Sequence, residues 1–62
     1  MWIELYRDDH SGLVNFNKVR LIYPEIRDNE DSRAVLEFDN GEKYSVDNPY
    51  REIKDLLPYL VS

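Results

Sequence analysis

The amino-acid sequence predicts a small α+β domain, an antiparallel β-meander or open barrel of about five strands with one C-terminal α-helix packed on one face. Two patterns lead to this prediction. Apolar and polar residues alternate in several short segments between residues 2 and 46, and a period of two is typical of strands. After residue 48 the apolar residues follow helical spacing instead. The chain has 62 residues and no linker or repeat, so we expect one domain, residues 1–62.

The first two predicted strands, at residues 2–6 and 13–16, form a hairpin because the residues between them, 7–12, are polar turn formers. In the first strand, Ile3 and Leu5 share one face. The other face carries Trp2, Glu4 and Tyr6. Alternation therefore predicts that one face of this strand packs in the core while two aromatic side chains point outward.

The third predicted strand, at residues 19–23, is apolar on both faces. Ile22 lies on one face, and the other face carries Val19, Leu21 and Tyr23. Pro24 has no backbone N–H to donate to a neighbouring strand, so we expect it near the strand's end or at a sheet edge. Residues 28–32 are charged and polar, and they predict a loop.

The fourth and fifth predicted strands flank a turn at residues 39–41. A two-residue Asn-Gly turn would place Leu36 opposite Ser45 and mix apolar with polar residues on one face. A three-residue turn with Gly41 in the left-handed conformation avoids this mismatch. The pattern therefore predicts two facing pairs, Leu36 with Tyr44 and Ala34 with Val46.

The last predicted element is a helix, with Asn48 as its N-cap and Pro49 as its first residue. One apolar stripe follows it, formed by Tyr50, Ile53, Leu56, Leu57 and Leu60. We expect Leu56 and Leu57, with Ile53, to anchor the helix on the sheet. Pro58 disfavours helical geometry before it, so the helix is predicted to end or kink near Leu57.

Composition excludes several classes of protein. Eight Lys and Arg against 13 Asp and Glu give a net charge of −5, with the basic residues scattered, so we expect no direct nucleic-acid binding. The longest apolar run is three residues, far short of the roughly 20 that cross a bilayer, and the N-terminal residues lack a secretory pattern. The absence of cysteine fits a reducing compartment. We therefore expect a cytoplasmic protein that binds no membrane.

No catalytic or metal-binding motif emerges from the sequence, so we expect no enzyme and no cofactor. The single histidine, His10, adjoins Asp8, Asp9 and Ser11, but neighbours in one tight loop cannot align as nucleophile, base and orienting carboxylate. Residues 28–39 resemble a calcium loop only superficially, because Arg33 occupies the position that requires glycine. A small enzyme or metal-binding domain is thus the weakest alternative.

A second alternative is an acidic mimic of nucleic acid that inhibits a DNA-binding protein. The densest acidic stretch contains Glu25, Asp28, Glu30 and Asp31. Arg27 and Arg33 interrupt this stretch, and a surface of this charge more often provides solubility.

A resemblance covers most of the chain. Its elements are Ile3-Glu4-Leu5, Val14-Asn15, the apolar residues 19–22, Leu36-x-Phe38-x-Asn40-Gly41, Val46, and Glu52-Ile53-x-x-Leu56-Leu57. This pattern resembles the FlbD-like flagellar and swarming-motility proteins and, more distantly, the β-rich LytTR DNA-binding domain. The resemblance implies a regulator of gene expression or motility that acts through protein or DNA contacts. It identifies no functional residue.

The leading functional hypothesis is a non-catalytic protein-interaction module, a small bacterial or phage regulator or assembly factor that acts through protein contacts. Its candidate interaction residues are Trp2, Glu4 and Tyr6 on the outer face of the first strand. Large aromatic residues dominate interfaces, and a domain with a small core gains stability when a second copy covers them. We therefore expect a homo-oligomer, a dimer or larger; the partner protein is not identifiable from the sequence. The competing interpretation places Trp2 and Tyr6 in a second small core of the same chain.

Overall fold

The computed structural model describes residues 1–60, which form five antiparallel strands in two sheets and a C-terminal helix. The elements are β1 Trp2–Arg7, β2 His10–Asn15, a short 3-10 helix Phe16–Lys18, β3 Val19–Pro24, β4 Arg33–Phe38, β5 Lys43–Pro49 and α1 Tyr50–Leu60. The strands β1 and β2 pair as a hairpin, and the other three form a sheet with β4 in the centre. The predicted α+β class is confirmed.

One hydrophobic core joins the hairpin, the sheet and the helix. The residues buried in it are Leu5, Ala34, Leu36, Val46 and Ile53. Leu5 comes from the hairpin, Ile53 comes from the helix, and the other three come from β4 and β5. The hairpin and the helix are therefore held by contacts with the same small set of sheet residues.

The predicted register of β4 and β5 is confirmed. Leu36 pairs with Tyr44 and Ala34 pairs with Val46. The Phe38 N–H donates to the Glu42 carbonyl at 2.8 Å, which leaves a three-residue turn, and Gly41 in that turn has φ +90°. Alternation and turn chemistry together sufficed to predict this hairpin.

We expect Gly41→Ala to lower the free energy of unfolding by about 1–2 kcal/mol, because a side chain at positive φ is strained. An alanine Cβ would meet no atom within 4 Å, so this strain is the whole expected effect. The matched control is Gly12→Ala in β2, where the space is also open and φ is not positive. Urea unfolding should show destabilisation of Gly41→Ala but not of Gly12→Ala. Equal destabilisation of both variants would show that the positive φ of Gly41 is not the cause.

The third strand departs from the predicted alternation because it contains a bulge. Val19 pairs with Phe38 and Leu21 pairs with Glu37, which leaves Arg20 as an extra residue. Side chains alternate between the two faces of a strand, so one extra residue shifts the alternation by one position. Residues after the bulge therefore lie on the face opposite to the one that simple alternation predicts. Val19 and Ile22 consequently both pack against the core, and Leu21 is half exposed. Pro24 ends this edge strand, as predicted.

The first turn and the segment after β2 also differ from prediction. The turn between β1 and β2 contains only Asp8 and Asp9, with Asp8 at φ 55°, so β2 begins at His10 instead of residue 13. Aspartate tolerates the left-handed conformation better than most residues, which permits a tight turn without glycine. Phe16 belongs to the 3-10 helix, not to the strand.

The predicted N-cap of the helix is wrong. Strand β5 continues through Pro49, and two carbonyls of the loop between β3 and β4 accept the first helical N–H groups. Tyr50 donates to Ser32 at 2.9 Å, and Arg51 donates to Glu30 at 2.8 Å. These bonds satisfy donors that a cap residue would otherwise satisfy. The side chain of Asn48 is therefore free to bind β1.

The helix buries one part of its predicted stripe and continues beyond Pro58. Ile53 is 1% exposed and Leu57 is partly buried, whereas Leu56 is 38% exposed. The prediction that Leu56 anchors the helix is therefore wrong. Pro58 lies within a helix that extends to Leu60. It removes the hydrogen bond to the carbonyl of Lys54, an exposed residue whose carbonyl water can solvate.

Candidate protein-interaction face

The register of the first hairpin places the predicted interaction residues on one face. Trp2 pairs with Asn15, Glu4 with Leu13, and Tyr6 with Ser11. Paired residues in antiparallel strands project to the same side, so these side chains share one surface. We call this surface the hairpin face, and it consists of Trp2, Glu4, Tyr6, Ser11, Leu13 and Asn15. It lies opposite Leu5, which the core buries.

The hairpin face exposes three large apolar side chains. Trp2 is 63% exposed, Tyr6 is 52% exposed and Leu13 is 66% exposed. The alternative in which Trp2 and Tyr6 fill a second internal core is thus wrong. Aromatic side chains bury about 150–250 Å² each when they are covered. The hairpin face therefore presents an apolar patch that this chain leaves in contact with water.

Glu4 lies at the centre of this apolar patch. Its Oε2 accepts a hydrogen bond from the Ser11 hydroxyl at 3.0 Å. None of the ion pairs among the described residues includes Glu4. A carboxylate flanked by two aromatic side chains suits a cation, because the ring faces and the carboxylate both attract positive charge.

Leu13 is the apolar residue of this face that the sequence prediction missed. With the predicted turn at residues 7–12, Leu13 is the first residue of its strand, and the prediction assigns it no role in the face. The two-residue turn at Asp8 and Asp9 places Leu13 opposite Glu4. The signal that could have revealed it is the Asp8-Asp9 pair, since two turn-forming residues between strands fix the register.

Two side chains from β5 hold the hairpin against the sheet. Asp47 and Asn48 are extra residues in β5, since Arg33 pairs with Pro49 while Ala34 pairs with Val46. Asn48 Oδ1 accepts from the Tyr6 N–H at 2.7 Å, and Asp47 Oδ2 accepts from the Asp8 N–H at 2.6 Å. These bonds fix the backbone beside Tyr6, which keeps the hairpin face ordered without a continuous sheet.

The acidic stretch that suggested mimicry of nucleic acid is mostly paired within the chain. Glu30 contacts Lys54 at 3.1 Å, Asp31 contacts Arg51 at 3.0 Å, and Glu25 lies 3.5 Å from Arg33. The hydrogen bond from Lys54 to Glu30, with their charge attraction, raises the pKa of Lys54. Carboxylates that already hold cations present less negative charge to a basic groove.

The side chains that suggested a metal site do not converge among residues 1–60. His10 is exposed at the start of β2, opposite Arg7. No three His, Cys, Asp or Glu side chains in the described part of the chain are grouped so that they could hold a metal ion.

A second apolar surface lies between α1 and the edge strand β3. This groove has a volume of about 370 Å³. Its lining is mainly apolar, with Met1, Phe16, Val19, Leu21, Ile22, Tyr50 and Leu57, and its polar members are Asn17 and Arg20.

Comparison with known proteins found no matching family model, no matching curated protein and no matching solved structure. The resemblance to FlbD-like and LytTR proteins therefore stays a hypothesis. No helix among the described residues is long and apolar enough to cross a membrane.

Proposed function

We propose that this protein is a non-catalytic protein-interaction module, a small bacterial or phage regulator or assembly factor that works in the cytoplasm. It binds its partner protein through the hairpin face. The observation that carries this proposal is the exposure of Trp2, Tyr6 and Leu13 side by side on an ordered hairpin. Exposed apolar patches rimmed by polar residues mark interaction surfaces on soluble proteins.

Self-association is part of this proposal. Covering Trp2 and Tyr6 would remove on the order of 100 Å² from water for each, given their exposed fractions. At about 25 cal/mol per Å², each residue would contribute roughly 2–3 kcal/mol before the cost of association is subtracted. Because the patch is small, we expect an association that depends on concentration, not an obligate oligomer.

Sedimentation equilibrium over a range of concentrations tests the proposal. The parent should form dimers or larger species, and the double variant Trp2→Ser, Tyr6→Ser should be monomeric. Tyr59→Ser is the matched control, because Tyr59 is 84% exposed and lies on α1, outside the hairpin face. It should associate like the parent.

A parent protein that stays monomeric at every accessible concentration would contradict self-association. Loss of association in both the double variant and the Tyr59→Ser control would show that the hairpin face is not the specific interface. At a concentration so low that the parent is monomeric, circular dichroism melting curves of all variants should match the parent, since the changed side chains are exposed.

A further inference from the structure

We propose that the hairpin face of one copy binds the loop residues Ile26 and Arg27 of a second copy, so that copies associate head to tail. This inference rests on the proposed self-association through the hairpin face. It adds the identity of the opposite surface and the geometry of the assembly.

The charge on the hairpin face disfavours a symmetric pairing. Glu4 is its only charged residue, and it lies between Trp2 and Tyr6 along β1. A two-fold interface that covers both aromatic residues with their symmetry mates would bring two Glu4 carboxylates together. Like charges that face each other across strands are destabilising. A partner surface that carries a cation avoids this cost.

Among the basic residues of the chain, Arg27 is the best candidate for the cation that contacts Glu4 of a second copy. Four other basic residues are held in ion pairs: Arg20, Arg33, Arg51 and Lys54. Arg7 lies over the Tyr44 ring, 4.8 Å from its centroid. Among the remaining three, Lys18, Arg27 and Lys43, only Arg27 adjoins a strongly exposed aliphatic residue, Ile26, which is 57% exposed.

The loop that presents Ile26 and Arg27 is ordered by its own hydrogen bonds. The Ile26 N–H donates to Ser32 Oγ at 3.1 Å, and the Ile26 carbonyl accepts from the Asn29 N–H at 3.0 Å. The Ser32 hydroxyl in turn donates to the Asn29 carbonyl at 2.6 Å. A loop that is already ordered loses little conformational freedom on binding.

The two surfaces are complementary in chemistry. A guanidinium group stacks on aromatic rings and donates paired hydrogen bonds to a carboxylate, so Arg27 matches the arrangement of Trp2, Glu4 and Tyr6. Ile26 supplies the aliphatic surface that covers Leu13. Because the two surfaces differ, each bound copy keeps one free surface, and assembly proceeds to rings or chains.

Charge reversal tests this inference. We expect Arg27→Glu and Glu4→Arg each to weaken association about tenfold or more, since each opposes like charges at the contact. An equimolar mixture of the two variants should restore association, because the arginine introduced in one variant meets the glutamate introduced in the other and the remaining contact is unchanged. The matched control is Lys18→Glu, which makes the same charge change at an exposed lysine that lies beside Phe38 and Asp39, outside both surfaces. It should associate like the parent.

Sedimentation separates failure of this inference from failure of the proposed function. If Arg27→Glu associates like the parent while the Trp2, Tyr6 double variant is monomeric, the hairpin face is the interface but the loop is not its partner. If Lys18→Glu weakens association as much as Arg27→Glu, the effect is one of net charge and the specific contact is overturned. A monomeric parent overturns the self-association on which the inference depends.

Discussion

Ile53→Ala is expected to lower the free energy of unfolding by about 2–5 kcal/mol, the usual cost of truncating a buried aliphatic side chain. Ile53 is almost fully buried and is the helix residue in the core cluster. A domain of this size has a total stability of only about 3–9 kcal/mol, so the variant should lose a large fraction of it. Chemical denaturation monitored by far-ultraviolet circular dichroism measures the loss.

The matched control for Ile53→Ala is Leu56→Ala on the same helix. Leu56 is exposed, so its truncation should cost less than about 1 kcal/mol. In the sequence, Ile53 and Leu56 both belong to the apolar stripe. Only the packing of the helix shows that Ile53 is buried and Leu56 is exposed. Equal losses in the two variants would show that the helix presents a different face to the sheet.

Leu5→Ala is expected to have an effect of similar size, about 2–5 kcal/mol, because Leu5 connects the hairpin to the shared core. Loss of this contact should also loosen the hairpin, which Ile3, Val14 and the hydrogen bonds of the Asp47 and Asn48 side chains would still hold. Amide hydrogen exchange should accelerate in β1 and β2 more than in β4, while denaturation gives the overall loss.

Leu13→Ala is the control for Leu5→Ala, since it makes the same change on the opposite face of the same hairpin. Leu13 is exposed, so its removal should change the stability of the monomer by about 0.5 kcal/mol or less. Similar destabilisation by the two variants would contradict the assignment of the inner and outer faces.

The structure was predictable from the sequence where local chemistry and alternation agree. The β4–β5 register followed from Gly41 and from the need to face Leu36 with Tyr44, and both signals lie within a few residues of each other. The face of Trp2, Glu4 and Tyr6 followed from strict alternation in β1. These features depend on near neighbours in the chain.

The features that sequence reasoning missed depend on distant residues or on a single extra residue. The bulge at Arg20 reverses the faces of β3 relative to simple alternation. The N-terminal N–H groups of the helix are satisfied by carbonyls from residues 30 and 32, which frees Asn48 to bind Tyr6. No pattern around Asn48 distinguishes a cap residue from a residue that holds another strand.

The candidate interaction site also combines features that near neighbours in the chain determine with features that depend on more distant residues. Trp2, Glu4 and Tyr6 were predictable from alternation, but Leu13 required the correct turn length. The exposure of both aromatic residues depended on whether another segment covers them, and alternation alone does not decide that. Their function in binding stays a prediction.

Concentration-dependent amide and indole NMR shifts test the central claim most directly, that the hairpin face is the interface of this protein. On concentration, the signals of Trp2, Glu4, Tyr6 and Leu13 should shift together, accompanied by those of Ile26 and Arg27. Shifts that cluster instead around the groove between α1 and β3, or spectra that do not change with concentration, would contradict the claim.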